Sequence, residues 1–152
     1  MGVLVGFKTE KNTGILIKKA ARLFEQAANR NLDQLGVTYS QTIFLVRLWE
    51  SDGQSQMDLA KSAGLKQPSV VRILDRMERD GLITRVRNDT DRRIFNFFLT
   101  DKAKKACQKL QGEANTMHTL ATQHFSKQDI EHLNNTLLGV IENLQTFLLG
   151  SG

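Results

Sequence analysis

The feature that most constrains the fold is a change in the spacing of apolar residues along the chain. Up to Gly81, apolar residues recur at steps of three and four, which is typical of amphipathic helices. Between residues 82 and 99, β-forming side chains flank a polar turn at 88–91, which predicts a β-hairpin. Helical spacing returns from Thr100. The pattern predicts a mainly α protein with one small β-hairpin, an α+β chain.

Local signals divide the helical regions into six segments. We expect helices over residues 15–35, 38–50, 54–63, 67–80, 100–124 and 126–148. Candidate N-caps are Thr38 or Ser40, Thr100 and Ser126, and Pro68 suits a first helical turn. The apolar residues expected to face inward from the third and fourth helices are Met57, Leu59, Ala60 and Ala63, then Val71, Leu74 and Met77.

Positive charge is concentrated in the middle third of the sequence. Residues 61–109 contain thirteen Lys or Arg and six Asp or Glu, a net of +7, against +1 before them and −3 after them. Such asymmetry is typical of a phosphate-binding surface, although a solvated Lys/Arg-rich face gives the same count. The single cysteine excludes an intramolecular disulfide, and the apolar runs are too short for a signal peptide or a membrane span. We therefore expect a cytoplasmic protein without a membrane anchor.

The third and fourth helices have the layout of a helix-turn-helix. A short helix, a glycine-bearing turn at 64–66 and a second helix at 67–80 place the start of that second helix in a DNA major groove. Gln can pair with adenine, Arg with guanine, and Val can contact a thymine methyl group. The residues expected at base edges are Gln67, Ser69, Val70 and Arg72, and those expected at phosphates are Lys66, Arg76, Arg85, Arg87 and Arg92.

Arg72 and Arg76 share one face of the fourth helix with no role in the core. Like charges four residues apart cost an isolated helix a little, which favours an external anion as their partner. The alternative is that they form surface salt bridges with Asp75, Glu78 or Asp80.

The hairpin carries four arginines, with a charged turn between its strands. Arg92 lies near the turn, where an arginine can enter the negative potential of a minor groove. We expect Asp91 to accept a hydrogen bond from Arg93 and stiffen the turn. The arginines concerned are Arg85, Arg87, Arg92 and Arg93.

These motifs resemble the MarR family of transcriptional regulators. The resemblance rests on Gln67-Pro68-Ser69-Val70-Val71-Arg72, on Arg79-Asp80-Gly81-Leu82-Ile83, on Asp91-Arg92-Arg93 and on Leu99-Thr100, and it extends over residues 15–148. The first run, together with Asp91-Arg92-Arg93 and the absence of an Arg before Asp91, is most similar to the SlyA-type branch. Thr90 departs from the family pattern, in which an Arg often precedes the Asp of the turn, so the tip contact shifts to Arg92 or Arg87.

The resemblance implies a winged helix-turn-helix whose N- and C-terminal helices form a dimerisation domain. The divisions expected are residues 1–36 and 101–152 for dimerisation and 37–100 for DNA binding. It implies a homodimer on pseudo-palindromic double-stranded DNA, acting as a repressor or counter-silencer. It also implies that Ser69 and Arg72 act in the major groove, Arg92 in the minor groove, and that Arg93 orders the wing.

A small aromatic carboxylate is the candidate effector, since many relatives bind such acids in a crevice beside the winged lobe. Tyr39 and Trp49, with Phe24 and Phe44, are candidates for lining it or for the core, and Lys18 and Arg22 could meet an anion or be solvated. Cys107 on an apolar stripe favours a buried small hydrophobe.

Other classes of function have less support in the sequence. No cofactor or metal site is expected, and no nucleophile–base pair or phosphate loop suggests an enzyme. The alternative function is a winged-helix module for protein–protein contact, without tight DNA binding.

Overall fold

The computed structural model describes residues 11–150. Helices α1 to α4 are Thr13–Leu32, Tyr39–Glu50, Gln56–Ala63 and Gln67–Arg79, followed by α5, Asp101–Thr122, and α6, Lys127–Leu149; a 3-10 turn, Asp33–Leu35, follows α1. Strands β1, β2 and β3 are Gln54–Ser55, Ile83–Arg87 and Phe95–Leu99. The predicted order of helices around a β-hairpin is confirmed, and the fold is mostly helical with a small antiparallel sheet.

The sheet has one strand more than the sequence predicts. The sequence predicts that residues 54 and 55 belong to the third helix, but Gln54 pairs with Phe97 and Ser55 with Asn96, which gives the strand order β1-β3-β2. The helix begins only at Gln56, because Ser55 is its N-cap and accepts a hydrogen bond from the Asp58 backbone N–H at 3.2 Å. A strand of two residues is too short to show an alternating pattern.

The predicted helix starts are confirmed at three caps. Thr38 begins α2 in a capping box with Gln41, and Ser126 begins α6 in one with Asp129. The Thr100 hydroxyl accepts from the Ala103 backbone N–H at 3.2 Å, which caps α5. The Asp129 carboxyl accepts from the Ser126 hydroxyl and backbone, and these hydrogen bonds lower its pKa.

The core of the winged lobe is built from α2, α3, α4 and the sheet. Its fully buried members include Phe44, Leu45, Leu48, Leu59, Leu74, Met77 and Phe97. Each such side chain contributes roughly 1.5–3 kcal/mol on burial. Two predicted core residues are wrong: Met57 is 69% exposed and Val71 is 37% exposed, and Val70 is buried in place of Val71. The stripe at 70, 74 and 77 fits helical spacing as well as the stripe at 71, 74 and 77, so periodicity alone did not separate them.

The chain divides into two compact units inside α5, the first ending at Met117 and the second beginning at His118. The first unit contains α1 as well as the winged lobe. In the second unit, α6 has no buried residue, and its apolar side chains are exposed at steps of three and four: Leu133, Leu137, Ile141, Leu144 and Leu148. Within residues 11–150, no helix is both long and apolar enough to cross a membrane.

Candidate nucleic-acid interface

Helices α3 and α4 are joined by a tight turn that depends on Gly64. This residue has a φ of 63°, in the left-handed region that favours glycine, and its backbone N–H donates to the carbonyls of Ala60 and Lys61. The Lys66 carbonyl then accepts from the Ser69 N–H at 3.0 Å, so α4 begins with Gln67 and Pro68 in its first turn. The predicted helix-turn-helix geometry is therefore present.

Helix α4 separates an apolar face from a polar face. Val70, Leu74 and Met77 lie in the core, whereas Ser69, Arg72 and Arg76 are exposed. The prediction that Val70 contacts a thymine methyl is wrong, because this residue has 0% exposed surface. Lys66 and Gln67 are exposed at the start of the helix.

The carboxylates that were alternative partners of Arg72 and Arg76 are bound elsewhere. Asp75 and Glu78 pair with Arg85. Asp80 accepts from the side chain of the buried Gln41 at 3.0 Å and lies 3.4 Å from Arg79 Nε. Within residues 11–150, neither Arg72 nor Arg76 has an ion pair. The surface salt bridges considered for these two arginines do not form, and both side chains are left available to an external anion.

The side chain of Arg85 is paired within the protein, whereas the predicted phosphate contact requires it to be exposed and unpaired. Its Nη2 atom is 2.6 Å from Asp75 Oδ1 and 3.1 Å from Glu78 Oε2, and its side chain is only 29% exposed. Its guanidinium also lies over the rings of Phe95 and Phe97, at 5.6 Å and 5.4 Å from their centroids. The structure does not support the predicted phosphate contact of Arg85, because two carboxylates already balance its charge.

The wing turn is ordered by two side chains. Asn88 Oδ1 accepts from the backbone N–H groups of Thr90 at 2.9 Å and Asp91 at 3.1 Å. Asp91 Oδ1 accepts from the Arg93 backbone N–H at 3.0 Å, so the expected pairing of Asp91 with Arg93 is present but uses the main chain. Asp91 therefore has a structural part in the turn.

The arginines of the wing differ in how many contacts their side chains make within the protein. Arg87 Nη1 donates to the Arg92 carbonyl at 2.8 Å, and its guanidinium lies 4.9 Å from the Phe95 ring centroid. Arg92 and Arg93 are exposed, and their side chains have no ion pair in the described part of the chain. The side chain of Arg92 near the tip is thus free to extend into a groove.

One contact at the start of α4 was missed by the sequence analysis. Gln56 Nε2 donates to Gln67 Oε1 at 2.8 Å, which joins the first residues of α3 and α4. Eleven residues separate the two amides, so no helical spacing connects them and only the angle between the helices brings them together. One half of the Gln67 amide is therefore engaged before any base is met.

An apolar cavity of about 230 Å³ lies between α1, α2 and α5. Tyr39 and Phe24 line it as a T-shaped pair with ring centroids 5.8 Å apart, as predicted for a crevice. The other predicted residues do not line it: Phe44 is in the core, Trp49 is 50% exposed, and Lys18 and Arg22 lie exposed on α1. Glu113, the one acidic lining residue in the described part of the chain, accepts from Gln34 Nε2 at 3.0 Å.

Cys107 has the environment of a packing residue. Its Sγ lies 3.7 Å from the Leu45 carbonyl, and burial raises the pKa of its thiol above the ordinary value. In residues 11–150, no three His, Cys, Asp or Glu side chains come close enough together to hold a metal ion.

The fold and the exposed basic face of α4 define a winged helix-turn-helix domain. Residues 37–95 match the model of the MarR family. This range begins just before α2 and ends at the first residue of β3, and therefore includes the whole helix-turn-helix and the wing turn.

Solved structures of MarR-type regulators have the same fold. The chain is similar to MepR from S. aureus in a DNA complex, with 25% identity, a TM-score of 0.78, and coverage of 87% of this chain and 98% of that one. It is similar to a mutant MarR from E. coli complexed with operator DNA, with 22% identity, a TM-score of 0.75, and coverage of 84% and 91%. It is also similar to the regulator SlyA, with 25% identity, a TM-score of 0.73, and coverage of 84% and 90%.

Proposed function

We propose that this protein is a sequence-specific DNA-binding transcriptional regulator, a repressor or counter-silencer, that acts as a homodimer in the cytoplasm. The observation that carries the proposal is that α4 exposes arginines that have no ion pair in the described residues. Arg72 and Arg76 are exposed without an ion pair in residues 11–150, although three carboxylates lie on the same helix or at its end. Two unpaired cations at groove-reading positions favour a polyanionic partner.

The exposed residues divide into two kinds of contact. Gln67, Ser69 and Arg72 lie in the first turns of α4 and would choose the base sequence. Lys66, Arg76, Arg87 and Arg92 would bind phosphates, with Arg92 also reaching the minor groove, and Arg93 supports the wing through its backbone. Specificity and salt dependence should then depend on different side chains.

Selection of bound sites from a random duplex pool tests the proposal most directly. We expect an enriched pseudo-palindrome with half-sites about one helical turn apart. Affinity for it should exceed that for unrelated duplex at least about a thousandfold at ~0.15 M salt. A protein that enriches no sequence and binds duplex no better than polyanions would instead be a winged-helix module for protein–protein contact.

The homodimer is supported by the surface of α6. Leu137, Ile141 and Leu144 follow helical spacing and are 38%, 49% and 57% exposed in the single chain. A contiguous apolar stripe of this kind on a protein surface is typical of an interaction face. A second copy of the chain fits a protein that reads a two-fold site, because two lobes then present two copies of α4.

Sedimentation equilibrium tests the dimer with two matched substitutions. Leu144→Asp introduces a charge into the apolar stripe and should shift the protein to monomer. Asn135→Asp introduces the same charge on the opposite side of α6 and should leave the dimer intact. A dimer that survives Leu144→Asp would exclude this stripe as the interface.

The residues that line the cavity determine which class of effector it can bind. Among residues 11–150, no Lys or Arg lines the cavity and Glu113 is its one acidic group, so a carboxylate placed there would lack a cation from these residues. We propose an uncharged aromatic ligand, packed against Tyr39 and Phe24, in place of the aromatic carboxylate. Salicylamide should therefore raise the melting temperature more than salicylate at equal concentration. A larger rise in melting temperature with salicylate would contradict the uncharged ligand and favour an aromatic carboxylate, bound in this cavity or at another site.

We also propose that the chain is of the SlyA type among MarR-type regulators. The support is the run Gln67-Pro68-Ser69-Val70-Val71-Arg72. The identities to SlyA and to MepR are equal at 25%, so overall similarity gives no preference between them. An operator from the site selection that SlyA binds with comparable affinity would support the branch.

A further inference from the structure

Arg85 joins the groove-reading helix to the wing. It lies on β2, and its Nη2 atom contacts Asp75 Oδ1 at 2.6 Å and Glu78 Oε2 at 3.1 Å, both on α4. Asp75 and Glu78 are three residues apart, so one guanidinium reaches both. We call these three residues the Arg85 cluster.

Two aromatic rings next to the cluster fix the guanidinium further. Arg85 lies over the rings of Phe95 and Phe97 on β3, and its Nε atom is buried without a hydrogen-bond partner in the described part of the chain. The fork of the guanidinium suits this arrangement, because it can bind carboxylates while its plane rests on aromatic faces. An ammonium group offers neither the fork nor the plane.

We propose that Arg85 is a positioning residue for DNA recognition: it holds the wing at a fixed angle to α4, so that both can enter adjacent grooves of one duplex. This inference rests on the proposed DNA-binding function. It assigns to Arg85 a role different from phosphate binding, and it assigns a role to two carboxylates that would otherwise only repel the duplex.

The two roles predict opposite behaviour for the carboxylates. If Asp75 affects DNA only through its charge, Asp75→Asn removes a repulsion and should strengthen binding. If Asp75 holds the wing through Arg85, the same substitution should weaken specific binding. The direction of one measurement therefore separates the two roles.

The test measures specific affinity against salt concentration for the unsubstituted protein and four variants. We expect Arg85→Gln and Asp75→Asn each to weaken operator binding about tenfold, with the slope of log affinity against log salt unchanged. Arg76→Gln, at a proposed phosphate contact, should lower that slope by about one. Arg85→Lys keeps the charge and should fail to restore the affinity.

A double substitution and a folding control complete the design. Asp75→Asn should cost little in a protein that already carries Arg85→Gln, because the cluster is then already broken. Each variant is checked for dimer mass and melting temperature, so that loss of affinity is measured on folded protein. DNA footprinting gives a second measure of positioning. Arg85→Gln and Asp75→Asn should lose protection of the minor groove next to the wing and keep protection of the major groove that α4 enters.

Each remaining outcome overturns the inference. A slope lowered by about one in Arg85→Gln, or rescue by Arg85→Lys, would make Arg85 a phosphate contact. Tighter binding by Asp75→Asn would make the carboxylate a simple repulsive charge. In both cases the proposed function survives. A wild-type protein that binds no duplex would remove the proposed function, and the positioning role with it.

Discussion

Two of the exposed arginines of α4 and the two arginines of strand β2 lie in opposite environments. Arg72 and Arg76 are exposed and without an ion pair in residues 11–150. Arg85 is paired with two carboxylates, and Arg87 donates to a main-chain carbonyl and lies over a ring. The comparison shows that clustering of positive charge in a sequence does not tell which cations remain available to a ligand.

The difference has a simple geometric cause. Asp75 and Glu78 lie on the side of α4 that faces β2, whereas Arg72 and Arg76 lie one helical turn apart on its exposed face. Asp75 and Glu78 therefore form ion pairs with Arg85 of β2 and not with Arg72 or Arg76 of their own helix. Pairing of these two acids with Arg85 leaves Arg72 and Arg76 without a carboxylate partner in residues 11–150.

The largest effect that would sharpen this comparison is expected from Arg72→Ala. Arginine is the residue that pairs bidentately with guanine, and losing such a pair costs about 1–3 kcal/mol. We expect a roughly 10- to 100-fold loss of operator affinity and relaxed preference at one base pair per half-site, measured by fluorescence anisotropy on a panel of duplexes. The matched control is Arg22→Ala on α1, which removes the same charge outside the helix-turn-helix and should change affinity little. Equal losses in both variants would mean that only net charge matters.

A smaller and sequence-independent loss is expected from Arg76→Ala. A phosphate contact contributes equally to all sequences, so specific and unrelated duplexes should weaken by the same factor. The slope of log affinity against log salt should fall by about one. A loss confined to the operator would move Arg76 from the backbone to a base.

The wing tip should contribute less than either helix arginine. Arg92 is exposed near the turn, and a narrow A/T-rich minor groove is the site that attracts an inserted arginine. We expect Arg92→Ala to weaken operators with A/T-rich flanks about five- to tenfold more than operators with G/C-rich flanks. Binding measured with both flanks, in otherwise identical duplexes, decides the matter. No dependence on the flank would mean that Arg92 binds phosphate only.

Sequence reasoning reached the helices and the wing because their signals are long and local. Caps such as Thr38 and Ser126, and the turn at Gly64, depend on residues three or four positions apart and are confirmed. Strand β1 was missed because pairing of Gln54 with Phe97 is a long-range contact carried by two residues. Local patterns contain no information about such a pairing.

The candidate site was predicted less completely than the fold, for the same physical reason. Exposure of Ser69, Arg72 and Arg76 follows from helical spacing, but the choice between Val70 and Val71 for the core depends on how α4 is rotated against its neighbours. The pairing of Arg85 with Asp75 and Glu78 depends on the approach of β2 to α4. Neither the rotation nor the approach is determined by residue spacing.

The smallest effect expected is a change of base preference in Gln56→Ala. In the wild type, Gln67 Oε1 accepts from Gln56 Nε2 at 2.8 Å, so in a two-bond contact with adenine this oxygen is shared between Gln56 and the base. Removing Gln56 frees the whole Gln67 amide and should raise the preference for adenine at its base about two- to threefold, with overall affinity little changed. Duplexes that differ only at that base measure the ratio, and Met57→Ala, at a neighbouring exposed residue, is the control. A lower adenine preference would mean that the hydrogen bond from Gln56 orients the Gln67 amide toward the base. Gln56 would then be a positioning residue, as we propose for Arg85.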